Sequence, residues 1–116
     1  MDLSEFIRRV KTAPNQIEFE ESIDVVDCNY HFTPSAFKNG NLKNEKGQNN
    51  GSCKIFAFGI LNNLNEAQTL ACFGKHYRES VLSNPEGTDH QNIRNFIKYG
   101  WENLVFETFP LIEIKK

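Results

Sequence analysis

The chain opens on a helical pattern. Leu3, Phe6, Ile7 and Val10 fall at i, i+3, i+4 and i+7, a single apolar stripe, and predict a helix over 3–12. Asp2 is placed to cap it, and Pro14 limits its continuation. Residues 15–19 read as a short extended link. A second stripe, Phe19, Ile23, Val26 and Tyr30, predicts a helix from about Glu20 to Tyr30. Cys28 lies off that stripe. Thr33-Pro34 ends the pattern, because the residue before proline prefers an extended backbone. Residues 35–38 read as a short strand running into Asn39-Gly40, a turn signal.

From Asn39 to Asn50 the chain is almost wholly polar, with Leu42 its one large apolar residue. The simplest reading is a solvated connector, long for a compact domain. Its many side-chain amides predict that it is ordered, since they can bond a backbone that lacks ladder partners. It leads into Ile55–Leu61, the longest apolar run in the chain. A short apolar run does not separate helix from strand. Helix is preferred here, over residues 53–62, with Ser52 as N-cap.

Asn65 and Gln68 have the spacing of a capping box. They open a fourth helix whose stripe, Leu70, Phe73, Gly74, Tyr77 and Val81, predicts a continuous element to about Leu82. Asn84-Pro85-Glu86-Gly87 is a turn. Thr88 with Gln91 suggests another capping box for a fifth helix over 89–99, with Gly100 closing it. Val105-Phe106 and Leu111–Ile114 read as short strands, expected to pair with residues 35–38. The sum is an α+β domain, mostly helical, with about five helices and a small antiparallel β element. We expect one domain over the whole chain.

Composition narrows the classes. Apolar residues make up 39% and charged residues 24% of 116 residues, as in a soluble globular domain with room for a core. Ten phenylalanines make that core aromatic. With a net charge of −2 and no basic block, nucleic acid is not an expected partner. No apolar run approaches a membrane span, and the first ten residues lack the apolar stretch of a secretory signal. Three separated cysteines form no disulfide framework. A reduced, cytoplasmic setting follows, with no cofactor and no metal centre expected. Cys72 and His76 stand at i, i+4 with Glu79 beyond, but ligands from one helical turn do not close a metal site. That face is expected to be solvated.

Two sets of residues could carry function. Cys53 and His90 both fall at expected helix N-termini, where a thiolate is favoured by free amides and the helix dipole. His90 could accept the thiol proton, with Asp89 or Glu45 orienting the ring. That arrangement would serve a thiol hydrolase or acyltransferase. The competing reading makes Cys53 a small buried hydrophobe, as most free cysteines are, and it is preferred. The second set is a patch of amides and charges. Asn44, Glu45, Gln48, Asn49 and Ser52 come from the polar stretch, with Asn39 before them. Lys54 follows in the next helix, and Asn92, Arg94 and Asn95 lie in the fifth. Such groups suit recognition of a small anionic ligand by hydrogen bonding. They would equally serve to pin the polar loop. We expect residues 44–52 to pack against the first turn of the fifth helix, with Asp89, His90, Asn92 and Arg94 facing Asn49 and Ser52. Two helix N-termini, with Lys54 and Arg94, would then form a positive spot for phosphate or carboxylate. In the alternative, the network satisfies itself and Arg94 pairs with Glu45 or Asp89.

The words FTPSAFKNG, NEKGQNNGSCKIFAFG, LNEAQTLACFG and NPEGTDHQNIRNF, running from Phe32 to Phe96, resemble the HopJ type III effector family. IEFEESI and Gly100-Trp101 extend the likeness into the flanks. The resemblance implies a bacterial protein, cytoplasmic or secreted into plant host cells, with a host protein as a possible class of partner. It brings no established reaction and hence no catalytic residues.

Overall fold

The computed structural model describes residues 2–114 of the chain. Helix α1 spans Leu3–Thr12 and buries Phe6 and Val10, as its stripe requires. Asp2 occupies the N-cap position, but its side chain makes no capping bond. The expected extended link is instead a 3-10 turn at Pro14–Gln16, with the proline in its first turn. Helix α2, Phe19–Asn29, begins with a capping box in which Glu18 and Glu21 exchange bonds. Glu21 also accepts from Arg9 of α1 at 2.7 Å, tying the first two helices together.

Strand β1, Tyr30–Phe32, follows α2 directly. Strands β2 (Phe37–Asn39) and β3 (Leu42–Asn44) form a hairpin. Its turn is Gly40-Asn41, with Gly40 at φ 63°, where a two-residue hairpin favours glycine. A Cβ there would lie 2.2 Å from the Tyr99 ring, so that aromatic packs on a bare backbone. The hairpin corrects the expectation of a solvated connector. Asn39 and Asn44 are buried at 0% and 1% exposure, and the polar stretch supplies a strand.

Helix α3, Asn50–Leu61, is the centre of the molecule. It starts three residues before the expected position, so Ser52 lies within its first turn and Asn49 is the cap residue. Cys53 and Ile55 to Gly59 are all buried, the mark of a helix enclosed on nearly every side. Phe56 packs against Phe37, Phe73 and Phe96, with ring centroids 6.3, 5.5 and 4.9 Å away.

Helix α4, Glu66–Ala71, has the Asn65/Gln68 capping box. It stops far short of Leu82. Gly74 takes φ 60°, and a Cβ there would stand 2.6 Å from the Phe19 amide nitrogen, so only glycine fits. Beyond it, residues His76–Val81 form a π-helical segment. Cys72, expected on a solvated face, is fully buried. Burial raises its thiol to about 12.

Helix α5 covers Gln91–Tyr99 and ends at Gly100, φ 66°. The expected Thr88/Gln91 box does not form. The Gln91 amide instead donates to the Thr88 carbonyl, and His90 takes the N-cap position. After a 3-10 turn at Trp101–Asn103, strand β4 (Leu104–Phe106) pairs with β2, completing a β3-β2-β4 sheet. Strand β5, Leu111–Glu113, pairs with β1 rather than with residues 35–38. The expected tail pairing therefore holds for one tail strand and fails for the other. Five α-helices and two small antiparallel sheets among the described residues make the fold α+β. No helix among them is long and apolar enough to cross a membrane.

Candidate functional site

The first turns of α3 and α5 meet at a cavity of about 540 Å³. Each helix begins from a residue in the left-handed conformation, Asn49 at φ 54° and His90 at φ 50°. Asparagine tolerates that conformation, and histidine is enriched there relative to most residues. Neither helix has a side-chain cap, so no side chain among the described residues takes up its first amide donors. Ser52 of α3 and Gln91 and Asn92 of α5 line the space with these two cap residues.

His76 faces the same cavity. Its ring lies 5.0 Å from that of His90, tilted by 38°, and meets the Phe19 ring edge-on at 4.9 Å. The break at Gly74 lets this residue leave the α4 trajectory. Helical spacing drew attention to His76 only as a neighbour of Cys72 on a solvated face; the glycine inside the ACFG word was the one available sign that the helix stops there. Leu42, Phe73 and Ile93, with Phe19, form the apolar wall.

Behind the cavity lies the asparagine network. Asn44 and Asn92 exchange two side-chain bonds, with Nδ2 of each donating to Oδ1 of the other at 3.1 and 2.9 Å. Asn39 Nδ2 donates to Asn92 O at 2.8 Å and to Asn92 Oδ1 at 3.0 Å. Asn49 Nδ2 donates to Asn44 Oδ1 at 2.6 Å. Asn95 Nδ2 donates to Asn39 O and to Asn41 Oδ1, both at 2.9 Å. These bonds fasten the hairpin and the start of α3 to α5. Asn39 Oδ1 is buried without a partner among the described residues; both acceptors facing this side chain already fix its amide nitrogen inward.

The remaining expected site residues stand elsewhere. Arg94 does not reach residues 44–52. It donates Nη1 to Asn84 O at 2.9 Å, and Nε and Nη2 to Asp89 O and Oδ1 at 2.6 Å each, stapling the 84–89 loop. The reason is geometric: Asp89 precedes the helix, where its carboxylate and carbonyl are both within guanidinium reach. The Arg94 bond holds the Asp89 carboxyl below its usual range. Lys54 points away from the cavity, pairing with Asp27 of α2 at 2.8 Å and lying over the Phe32 ring. Glu45 is exposed. Its main chain closes a turn with Gln48, donating N–H to Gln48 Oε1 at 3.0 Å and accepting from Gln48 N at 2.9 Å.

Cys53 lacks what a nucleophile needs. It is 1% exposed within the core cluster and does not line the cavity that His90 faces. Burial pushes its thiol up to about 11, despite an opposing hydrogen bond from the Ser35 main chain. A thiol held protonated is unreactive. Asp89 Oδ2 does come within 3.8 Å of His90 Nε2, but the same carboxylate is committed to Arg94. Of the expected residues, the fold therefore gathers Asn44, Asn49, Ser52, His90 and Asn92 at or beside one site. It leaves Lys54, Arg94 and Cys53 out.

This is a helical α+β domain with a half-polar, half-apolar cavity between two uncapped helix starts. The family model for the HopJ type III effector protein matches residues 3–111, and the chain belongs to that family. A crystal structure described as that of an unknown-function protein, VPA0580, superposes with a TM-score of 0.97 at 54% identity, covering 98% of this chain and 95% of that one. No curated protein matches the chain significantly.

Proposed function

We propose that this protein is a non-enzymatic binding domain whose cavity takes a small anionic ligand. The observation that carries this reading is the convergence of two helix N-termini, neither capped by a side chain, on one cavity. Amides of a first turn point along the helix axis and carry the positive end of its dipole, so paired starts favour a phosphate or carboxylate. The expected cations Lys54 and Arg94 take no part; main-chain N–H groups replace them. The buried asparagine network serves to hold the two starts together. The family description extends the proposal to the setting: a bacterial protein that acts after export, with a host protein as its macromolecular partner.

The test is an amide-shift titration of the full chain with inorganic phosphate. Saturable shifts at residues 50–52 and 91–93 are expected. Ser52→Asp places a carboxylate in the first turn of α3, where the dipole favours it, and should abolish those shifts without loss of stability. Shifts that stay linear to high concentration, or that persist in Ser52→Asp, refute the reading.

A further inference from the structure

We infer that the ligand is an organic anion with a flat apolar body, an aryl phosphate or carboxylate, rather than a bare inorganic ion. The inference rests on the anion reading above and specifies the class of molecule. The cavity, about 540 Å³, falls in the range of sites for small organic molecules, roughly 300–1,000 Å³. Its lining is of two kinds. Phe19, Leu42, Phe73 and Ile93 are apolar lining residues, and water against such side chains gains no hydrogen bonds. A bare phosphate on the helix starts would leave that wall uncovered, whereas a ring would cover it.

The polar part of the lining holds a donor with capacity to spare. Asn92 is 5% exposed and lines the cavity. Its side-chain nitrogen carries two N–H groups, of which one goes to Asn44 Oδ1; the other has no acceptor among the described residues. That second N–H is available to a ligand oxygen at the helix starts in place of water. The tilted His76 and His90 rings line the same cavity and add planar surface for a ring to pack on. One molecule then meets both demands, with its oxygens at Asn92 and the first-turn amides and its body against the apolar wall.

The experiment titrates the full chain with three probes: inorganic phosphate, phenyl phosphate and benzyl alcohol. Phenyl phosphate is expected to bind at least about ten-fold more tightly than inorganic phosphate, as burial of an apolar ring contributes. Benzyl alcohol should bind more weakly than phenyl phosphate. Leu42→Ala should reduce phenyl phosphate affinity several-fold and leave inorganic phosphate affinity unchanged, with Leu42→Met restoring it. Equal affinity for the two phosphates, or no response to Leu42→Ala, overturns this inference and leaves the anion reading standing. No saturable response to either phosphate overturns both. Benzyl alcohol binding as tightly as phenyl phosphate shows that the charge is irrelevant and also overturns both.

Discussion

Replacing Asn92 with alanine should loosen the joint between the hairpin and α5. Three side-chain bonds meet at its amide: from Asn39 at 3.0 Å, from Asn44 at 3.1 Å, and to Asn44 at 2.9 Å. Two of the partners keep other bonds after truncation. Asn39 Nδ2 retains the Asn92 main-chain oxygen at 2.8 Å, and Asn44 Oδ1 retains Asn49 at 2.6 Å. Asn44 Nδ2 alone is left with a long contact, to Phe37 O at 3.5 Å. With about 1 kcal/mol net per neutral bond, and about 1–3 kcal/mol for a buried donor left unmet, the ceiling lies near 5 kcal/mol. Water entering from the adjoining cavity lowers this, because Asn92 lines it. We expect a loss of about 2–4 kcal/mol. Urea unfolding followed by Trp101 fluorescence measures it; the indole packs on Phe96 at 4.8 Å and should report loss of the α5 packing. The m-value should not change, so that the shift in midpoint is a shift in stability. Asn44→Ala in the same background completes a double-mutant cycle, with a coupling of about 1–2 kcal/mol expected for residues sharing a network. A loss under about 1 kcal/mol, or additivity within about 0.5 kcal/mol, the scatter found for independent sites, would refute the claim that the network holds the site together.

Two further outcomes follow from the core. Phe56→Ala should cost about 3–5 kcal/mol, the range for large-to-small aromatic changes in packed cores, because Phe56 is fully buried against three aromatic rings; a loss below about 1 kcal/mol in chemical denaturation would displace α3 from the centre of the fold. The thiols give a pH dependence of definite sign. Folding raises Cys53 from an ordinary value of 9.0 to about 11 and Cys72 to about 12, so above pH 9 the unfolded chain releases protons that the folded chain keeps. Stability should therefore fall as pH rises from 9 towards 12, and a Cys53→Ala variant should show a shallower fall. Native protein at pH 8 should react with a thiol reagent at exposed Cys28 alone, and rapid labelling of Cys53 would contradict its assigned burial.

Much of the fold was legible in local pattern. The stripe of α1, the box at Asn65 and Gln68, and the glycine stop at Gly100 all depend on residues close in sequence, where side-chain spacing and backbone chemistry act directly. Family membership was legible too, because it rests on words of sequence. The placement of the asparagines was not. A polar residue in a loop-like stretch reads as solvated, and only the return of α5 onto the hairpin turns Asn39 and Asn44 into buried partners of Asn92, across 53 and 48 positions. The break at Gly74 is tertiary in the same way, since what forbids a side chain there is the Phe19 backbone. That break frees His76 to face His90. The reach of Arg94 was decided by proximity to Asp89 and Asn84, and that of Lys54 by Asp27. The sequence by itself determined which polar and charged groups stand at two helix starts. Only the tertiary structure decided that the two starts share one cavity while Lys54 and Arg94 pair away from it, because a charged side chain pairs with whichever acid the packed fold brings within reach.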